Sequence, residues 1–170
     1  MHYLNISLCV GEVACKAHVN DFELSHNVRV TDVVVRTILS ASSSLHSLIL
    51  TNCPTLTDEA IRTIYEANVA WGKKRNRRAS TLHSFDVKDN FHLSTQVLFW
   101  ISVTAFNLTS LDVRNCPNMD LTTGIPELVT LKSLKHLYLG PCNNPVVSKR
   151  FALSMEPHMV RHVTQHSSIC

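Results

Sequence analysis

His158, His162, His166 and Cys170 follow one another at intervals of four residues. On a helix that spacing puts neighbours on one face, which is how paired histidines grip zinc. Each step rises about 6 Å along the axis, so the four cannot share one ion. At most an adjacent pair serves, with further ligands from elsewhere. Val160, Val163, Thr164 and Ser167-Ser168 between them are indifferent helix formers, and the expectation is a polar tail with no metal site. Lys73, Lys74, Arg75, Arg77 and Arg78 crowd into KKRNRR, which reads as a nuclear-localisation loop or simply as a solvated one. Arg77-Arg78-Ala79-Ser80 has the pattern of a basophilic kinase site, and a phosphate on Ser80 would add nearly two negative charges and mask the cluster. Asp86 and Asp112, 26 residues apart, would suggest acid–base chemistry if the fold brought them together in a pocket. No phosphate-binding Gly-rich loop, serine-elbow motif or paired C-x-x-C occurs, so no cofactor is expected.

The elements that position these residues are set by a repeat. The frame L-x-x-L-x-L-x-x-C/N occurs at Val19-Phe22-Leu24-Asn27, Leu45-Leu48-Leu50-Cys53, Leu82-Phe85-Val87-Asn90, Leu108-Leu111-Val113-Cys116 and Leu134-Leu137-Leu139-Cys142. The starts lie 26, 37, 26 and 26 residues apart. A period of that size is the signature of a solenoid, and such chains bind proteins along an extended surface. The first half of each unit alternates with period 2, as a strand with one buried face does. An apolar residue follows three after the Cys/Asn position: Val30, Leu56, Leu93, Met119. The next column, Thr31, Thr57, Ser94 and Asp120, is made of preferred helix N-caps. Helical spacing follows in Val34-Val35-Ile38, Ala60-Ile61-Ile64 and Val97-Leu98-Ile101. In the fourth unit Gly124 and Pro126 predict a late or short helix starting near Ile125–Glu127.

The expected fold class is therefore α/β, a solenoid of five to six units with a parallel sheet inside the curve and helices outside. Residues 1–18 read as a degenerate N-terminal half-repeat, because Met1-Leu4-Ile6-Cys9 fits the strand frame once more. Residues 19–145 carry the repeats, with a basic insertion at 70–80, and 146–170 form a C-terminal cap and polar tail.

Bulk composition agrees with one folded domain. The chain has 170 residues, 45% hydrophobic and 17% charged, enough apolar material for a continuous core. The net charge of +3 hides an asymmetry, since KKRNRR holds five of the 16 basic residues and the rest is near −2 without them. A body of that sign argues against nucleic-acid binding. Three of the six cysteines, Cys53, Cys116 and Cys142, share one repeat position and are expected to point inward as small buried hydrophobes. That usage fits a reducing compartment, cytoplasm or nucleus. No run of 18 apolar residues is present, so no membrane span is expected. The first 18 residues carry no basic n-region and no Arg, which makes them a poor secretory signal and a poor mitochondrial presequence.

The segments LHSLILTNCPTLTDEAI, LTSLDVRNCPNMD and LKHLYLGPCNNP resemble the cysteine-containing leucine-rich repeats of F-box/leucine-rich-repeat proteins and their F-box-less relatives. They make up about a quarter of the chain. The resemblance implies a curved array that holds a protein substrate for ubiquitination, with an F-box recruiting the ligase core through a Skp1-type partner. Nothing before Val19 is long enough for an F-box, so that role requires one outside this chain. LVTLKSLKHLYL also resembles the short repeat proteins similar to mitochondrial ATP synthase coupling factor B, which implies a free-standing scaffold or assembly factor instead.

The strand residues that alternate with the core leucines are the expected partner-binding face. One column is Glu23, Ile49, Asp86, Asp112 and Tyr138; beside it stand Ser25, Thr51, Lys88, Arg114 and Gly140. Asp86 and Asp112 are expected about 5 Å apart on adjacent strands, with Lys88 and Arg114 placed to compensate their like charges. The face reads either as a solvated, self-compensated ladder or as a protein-binding patch anchored by Ile49 and Tyr138. A flat open face cannot shift carboxylate pKa values as a closed pocket can, so no catalytic residue is expected.

Overall fold

Period-2 alternation decides which way each strand faces, and the register then aligns the units. In the computed structural model, which describes residues 3–5, 20–41, 45–71 and 81–139, six short strands form one sheet. They are β1 (Tyr3–Asn5), β2 (Asp21–Glu23), β3 (Ser47–Ile49), β4 (Ser84–Asp86), β5 (Ser110–Asp112) and β6 (His136–Tyr138). All pairs are parallel and the spatial order is the chain order. Helices α1 (Asp32–Ala41), α2 (Asp58–Trp71), α3 (Gln96–Thr104) and α4 (Leu121–Leu128) form the crossovers from β2 onward, and each packs against the next. The class is α/β, as the alternation of strand and helix patterns predicts. Among the described residues no helix is long and apolar enough to cross a membrane.

Phe22, Leu48, Phe85, Leu111 and Leu137 are direct partners across the sheet. With Leu24, Leu50, Val87, Val113 and Leu139 they are buried in one core that also takes Val35, Ala60, Ile61, Val97, Leu98 and Ile101 from the helices. Burying each large aliphatic side chain contributes roughly 1.5–3 kcal/mol. At the amino end, Leu4 lies opposite Phe22, the register expected of the Met1-Leu4-Ile6-Cys9 frame; residues 6–19 lie outside the described residues.

Backbone pairing continues past the strands. Leu24, Leu50, Val87 and Val113 donate their N–H to Ile49, Asp86, Asp112 and Tyr138 carbonyls at 2.8–3.0 Å. The chain then turns through His26, Asn52, Asp89 and Asn115, all with positive φ, between 52° and 61°. His, Asn and Asp are the non-glycine residues most tolerant of that region. The turned N–H groups of His26, Asn52 and Asp89 still reach the next unit, at Thr51, Lys88 and Arg114 carbonyls.

The residue after each turn is the Cys/Asn column. Asn90, fully buried, donates through Nδ2 to the carbonyls of Leu50 (2.7 Å) and Val87 (2.8 Å), while its Oδ1 accepts from the Cys53 N–H (2.9 Å). Cys53 and Cys116 do less: each thiol donates to the preceding unit's carbonyl, Leu24 at 3.0 Å and Val87 at 3.2 Å.

Three of the expected caps close with side-chain bonds. The Thr57 hydroxyl accepts from the Glu59 N–H (3.3 Å), the Ser94 hydroxyl from the Gln96 N–H (3.2 Å) and the Asp120 carboxylate from the Thr122 N–H (2.9 Å). At Thr31 the backbone carbonyl accepts the Val35 N–H. The fourth unit corrects the expectation of a late helix near Ile125–Glu127: α4 starts directly after Asp120 and contains Pro126. The Asp120 cap holds the first turn, and Pro126 falls in the last turn of a short helix, where its missing N–H removes one bond only. Gly124 lets α4 approach α3 closely, because a Cβ there would lie 2.5 Å from Leu98 Cδ1.

Candidate functional site

The other side of the same strands is built by the same register. Glu23, Ile49, Asp86, Asp112 and Tyr138 are successive cross-strand partners, in the order expected. Glu23 is exposed and Ile49, Asp86 and Tyr138 are half-buried. Lys88 and Arg114 are half-buried beside them. Two members sit lower than a surface patch requires: Asp112 is 7% exposed and Thr51 only 3%. Thr51 therefore supports the face from beneath.

The two carboxylates are compensated in different ways. Asp86 accepts the Lys88 N–H at 3.0 Å and meets Lys88 Nζ at 3.6 Å. Asp112 takes a forked pair from Arg114, with Nε at 3.0 Å from Oδ1 and Nη2 at 2.6 Å from Oδ2. That is the bidentate geometry in which an arginine–carboxylate pair is strongest. The same guanidinium lies 5.3 Å from the centre of the Tyr138 ring, a cation–π contact. Asp112 holds the guanidinium even more firmly protonated than usual. The centre of the face is thus a rigid Asp112–Arg114–Tyr138 array, flanked by Ile49 and the looser Asp86–Lys88 pair.

Burial pushes the Asp86 carboxyl above its ordinary 3.8, and the neighbouring Asp112 charge adds to that, against the Lys88 N–H. An acid with a raised pKa binds protons more readily folded than unfolded, so its ionisation opposes folding above the raised pKa. Asp86→Asn is expected to raise Tm at neutral pH. The gain should shrink as pH falls through the raised pKa towards 3.8. Thermal unfolding across that range measures it, and a gain independent of pH would refute the assignment.

Among the described residues the cysteine column supplies no nucleophile. Burial raises both thiols, Cys116 to about 11 and Cys53 above its usual value, and both are free. The thiolate is the reactive form. Peptide mapping after iodoacetamide at mildly alkaline pH should find Cys53 and Cys116 unlabelled until denaturant is added; labelling of either in the native chain would contradict this burial.

Two features were not anticipated. One is a ladder of helix-start acids. Asp32 accepts the Thr57 N–H (2.8 Å) and hydroxyl (2.6 Å), and Asp58 accepts the Ser94 N–H (2.7 Å) and hydroxyl. Thr95 takes the corresponding place towards the Asp120 N–H (2.7 Å). The residue after each of these three caps, an acid twice and a threonine once, thus binds the cap of the next unit. The other is an edge column where the chain enters the strands, in which the His46 and His83 rings stack at 5.3 Å.

Lys73, Lys74, Arg75, Arg77, Arg78 and Ser80 lie outside the described residues, as do Gly140, Cys142, His158, His162, His166 and Cys170. Among the described residues no group of three or more His, Cys, Asp or Glu side chains is arranged to hold a metal ion. The chain matches no protein-family model, and no curated protein is significantly similar to it.

Proposed function

We propose that this chain is a leucine-rich-repeat solenoid that binds a protein partner on the open face of its parallel sheet and performs no catalysis of its own. The observation that carries this is the Glu23–Ile49–Asp86–Asp112–Tyr138 column with Arg114 clamped between Asp112 and Tyr138. All-parallel sheets normally have both faces covered, yet among the described residues the packed helices share only the Phe22–Leu137 core. An aromatic and an arginine already ordered before binding lose little side-chain freedom on contact, the property of an interface anchor. Taken with the resemblance to F-box-type repeats, the partner is a protein substrate presented for ubiquitination, and the chain acts in the cytoplasm or nucleus.

The test is affinity capture from reducing lysate, comparing the wild-type chain with Ile49→Ala/Asp86→Asn/Tyr138→Ala. Captured partners should fall at least tenfold with the variant while its circular dichroism and cooperative unfolding show it to be folded. Equal capture by both baits would reject the face. An excess of the free chain should also protect those partners from ubiquitination; unchanged ubiquitination would leave a scaffold without a ligase link.

A further inference from the structure

β2 carries two acids on the open face, Asp21 and Glu23, on either side of the buried Phe22. Neither faces a cation among the described residues, whose ion pairs are those of Arg62, Lys88 and Arg114. Glu23 meets only the Ser25 hydroxyl, at 3.4 Å. The register partners on β1, Tyr3 and Asn5, bring no charge. On the other side, β3 places Ser47 beside Asp21 and Ile49 beside Glu23, and β4 places Ser84 and Asp86 beyond them. Ile49 is thus bracketed by Glu23 and Asp86, each about 5 Å away in the pairing direction. Asp86 is only loosely compensated, with Lys88 Nζ at 3.6 Å, whereas Arg114 makes a full fork on Asp112. Both cations of the face are therefore held on β4 and β5, and the uncompensated negative charge lies on the β2 side. Ser47, Ser84 and Ser110 are half-buried register partners. Their small side chains leave a shallow trough alongside the Ile49 column, lined by hydroxyls that both donate and accept.

A sheet face with acids on both sides of an apolar residue is complementary to a cationic side chain with a long apolar stem. We propose that the β2–β4 half of the open face docks a basic segment of the protein partner, with a lysine or arginine stem on Ile49, its charged head between Glu23 and Asp86, and the segment's main chain along the serine trough. Asp21 adds to the field that draws the segment in. Burial already works against the Asp86 charge, so a second cation over it gains more than one beside a fully exposed acid. That the partner is a protein rests on the open-face reading; the sign of its charge rests on β2.

Titration of the full isotope-labelled chain, followed by amide NMR, tests this with a short capped peptide alternating lysine with alanine and with its glutamate counterpart. The lysine peptide should saturate, shift the amides of Glu23, Ile49 and Asp86, and bind more weakly as salt is raised; the glutamate peptide should not bind. Asp21→Asn/Glu23→Gln, which breaks no ion pair, should weaken the lysine peptide about fivefold without lowering Tm. Ile49→Ala should weaken it about threefold and leave its salt dependence unchanged, because only the stem contact is lost. Equal binding by Asp21→Asn/Glu23→Gln, or equal binding of the glutamate peptide, overturns the site. Absence of saturable binding also overturns it. Binding that appears only after Lys73, Lys74, Arg75, Arg77 and Arg78 are changed to Gln would seat the chain's own basic segment there and overturn the partner segment. In the capture experiment, loss of partners with Ile49→Ala/Asp86→Asn/Tyr138→Ala but not with Asp21→Asn/Glu23→Gln removes this inference and keeps the open-face reading. Unchanged capture with both variants, alongside acid-dependent binding of the lysine peptide, removes that reading alone.

Discussion

Asn90→Ala is expected to destabilise the chain by about 4 kcal/mol, the largest effect of any single polar substitution here. The side chain is fully buried. It is the partner of two carbonyls, Leu50 and Val87, and of the Cys53 N–H. Alanine offers none of these bonds; the Val87 carbonyl keeps the Cys116 thiol, but the Leu50 carbonyl and the Cys53 N–H lose their Asn90 partner, at about 1–3 kcal/mol for each buried group left unpaired. Asn90→Cys should cost only about half as much. A thiol at the same position elsewhere in the chain, at Cys53 and Cys116, still donates to one carbonyl of the preceding unit. Denaturant unfolding gives both values, and a loss under about 1 kcal/mol for Asn90→Ala would mean that the Asn bonds do not hold the units together.

Asp58→Ala is expected to cost about 2–3 kcal/mol although the residue is only half-buried. Its carboxylate ties the Ser94 N–H and hydroxyl, and Ser94 in turn caps α3 through the Gln96 N–H. Removing the acid therefore loosens two helix starts, its own by the helix dipole and the next by losing the cap's anchor. Asp32→Ala should behave alike, since it holds Thr57 in the same manner. Asp58→Asn, which keeps an acceptor for the Ser94 N–H, should lose about 1 kcal/mol. If Asp58→Ala and Ser94→Ala were additive in the double variant, the two would not act as one unit.

The strand register was readable because it rests on two short periods. The spacing of Phe22, Leu48, Phe85, Leu111 and Leu137 names the inward column directly, and the alternating residues must then face the other way. The caps were readable because hydroxyl and carboxylate side chains recur four residues past the Cys/Asn position of the first four units. The Asp32–Thr57 and Asp58–Ser94 bonds were not, because they join residues 25 and 36 apart whose contact depends on the three-dimensional offset between units. The burial of Thr51 was hidden for a similar reason: alternation says which side it is on, while its depth comes from the neighbouring Asp86 strand. Pro126 is hostile to a helix of ordinary length, whereas α4 is only eight residues long and holds it in the last turn. The four positive-φ turns did leave a trace. His26, Asn52, Asp89 and Asn115 are all of the residue types that tolerate that backbone region.

One interval separates itself from the others: Leu48 and Phe85 are paired although 37 residues apart, where every other neighbouring pair from β2 onward spans 26. The entropy of closing a chain segment grows only with the logarithm of its length, so the longer connection costs about 0.3 kcal/mol more than the others. The sheet is thus nearly indifferent to how much chain passes between these two strands. New sequence can accumulate at this point at almost no expense to the fold, and the basic cluster stands in the one connection that has been lengthened.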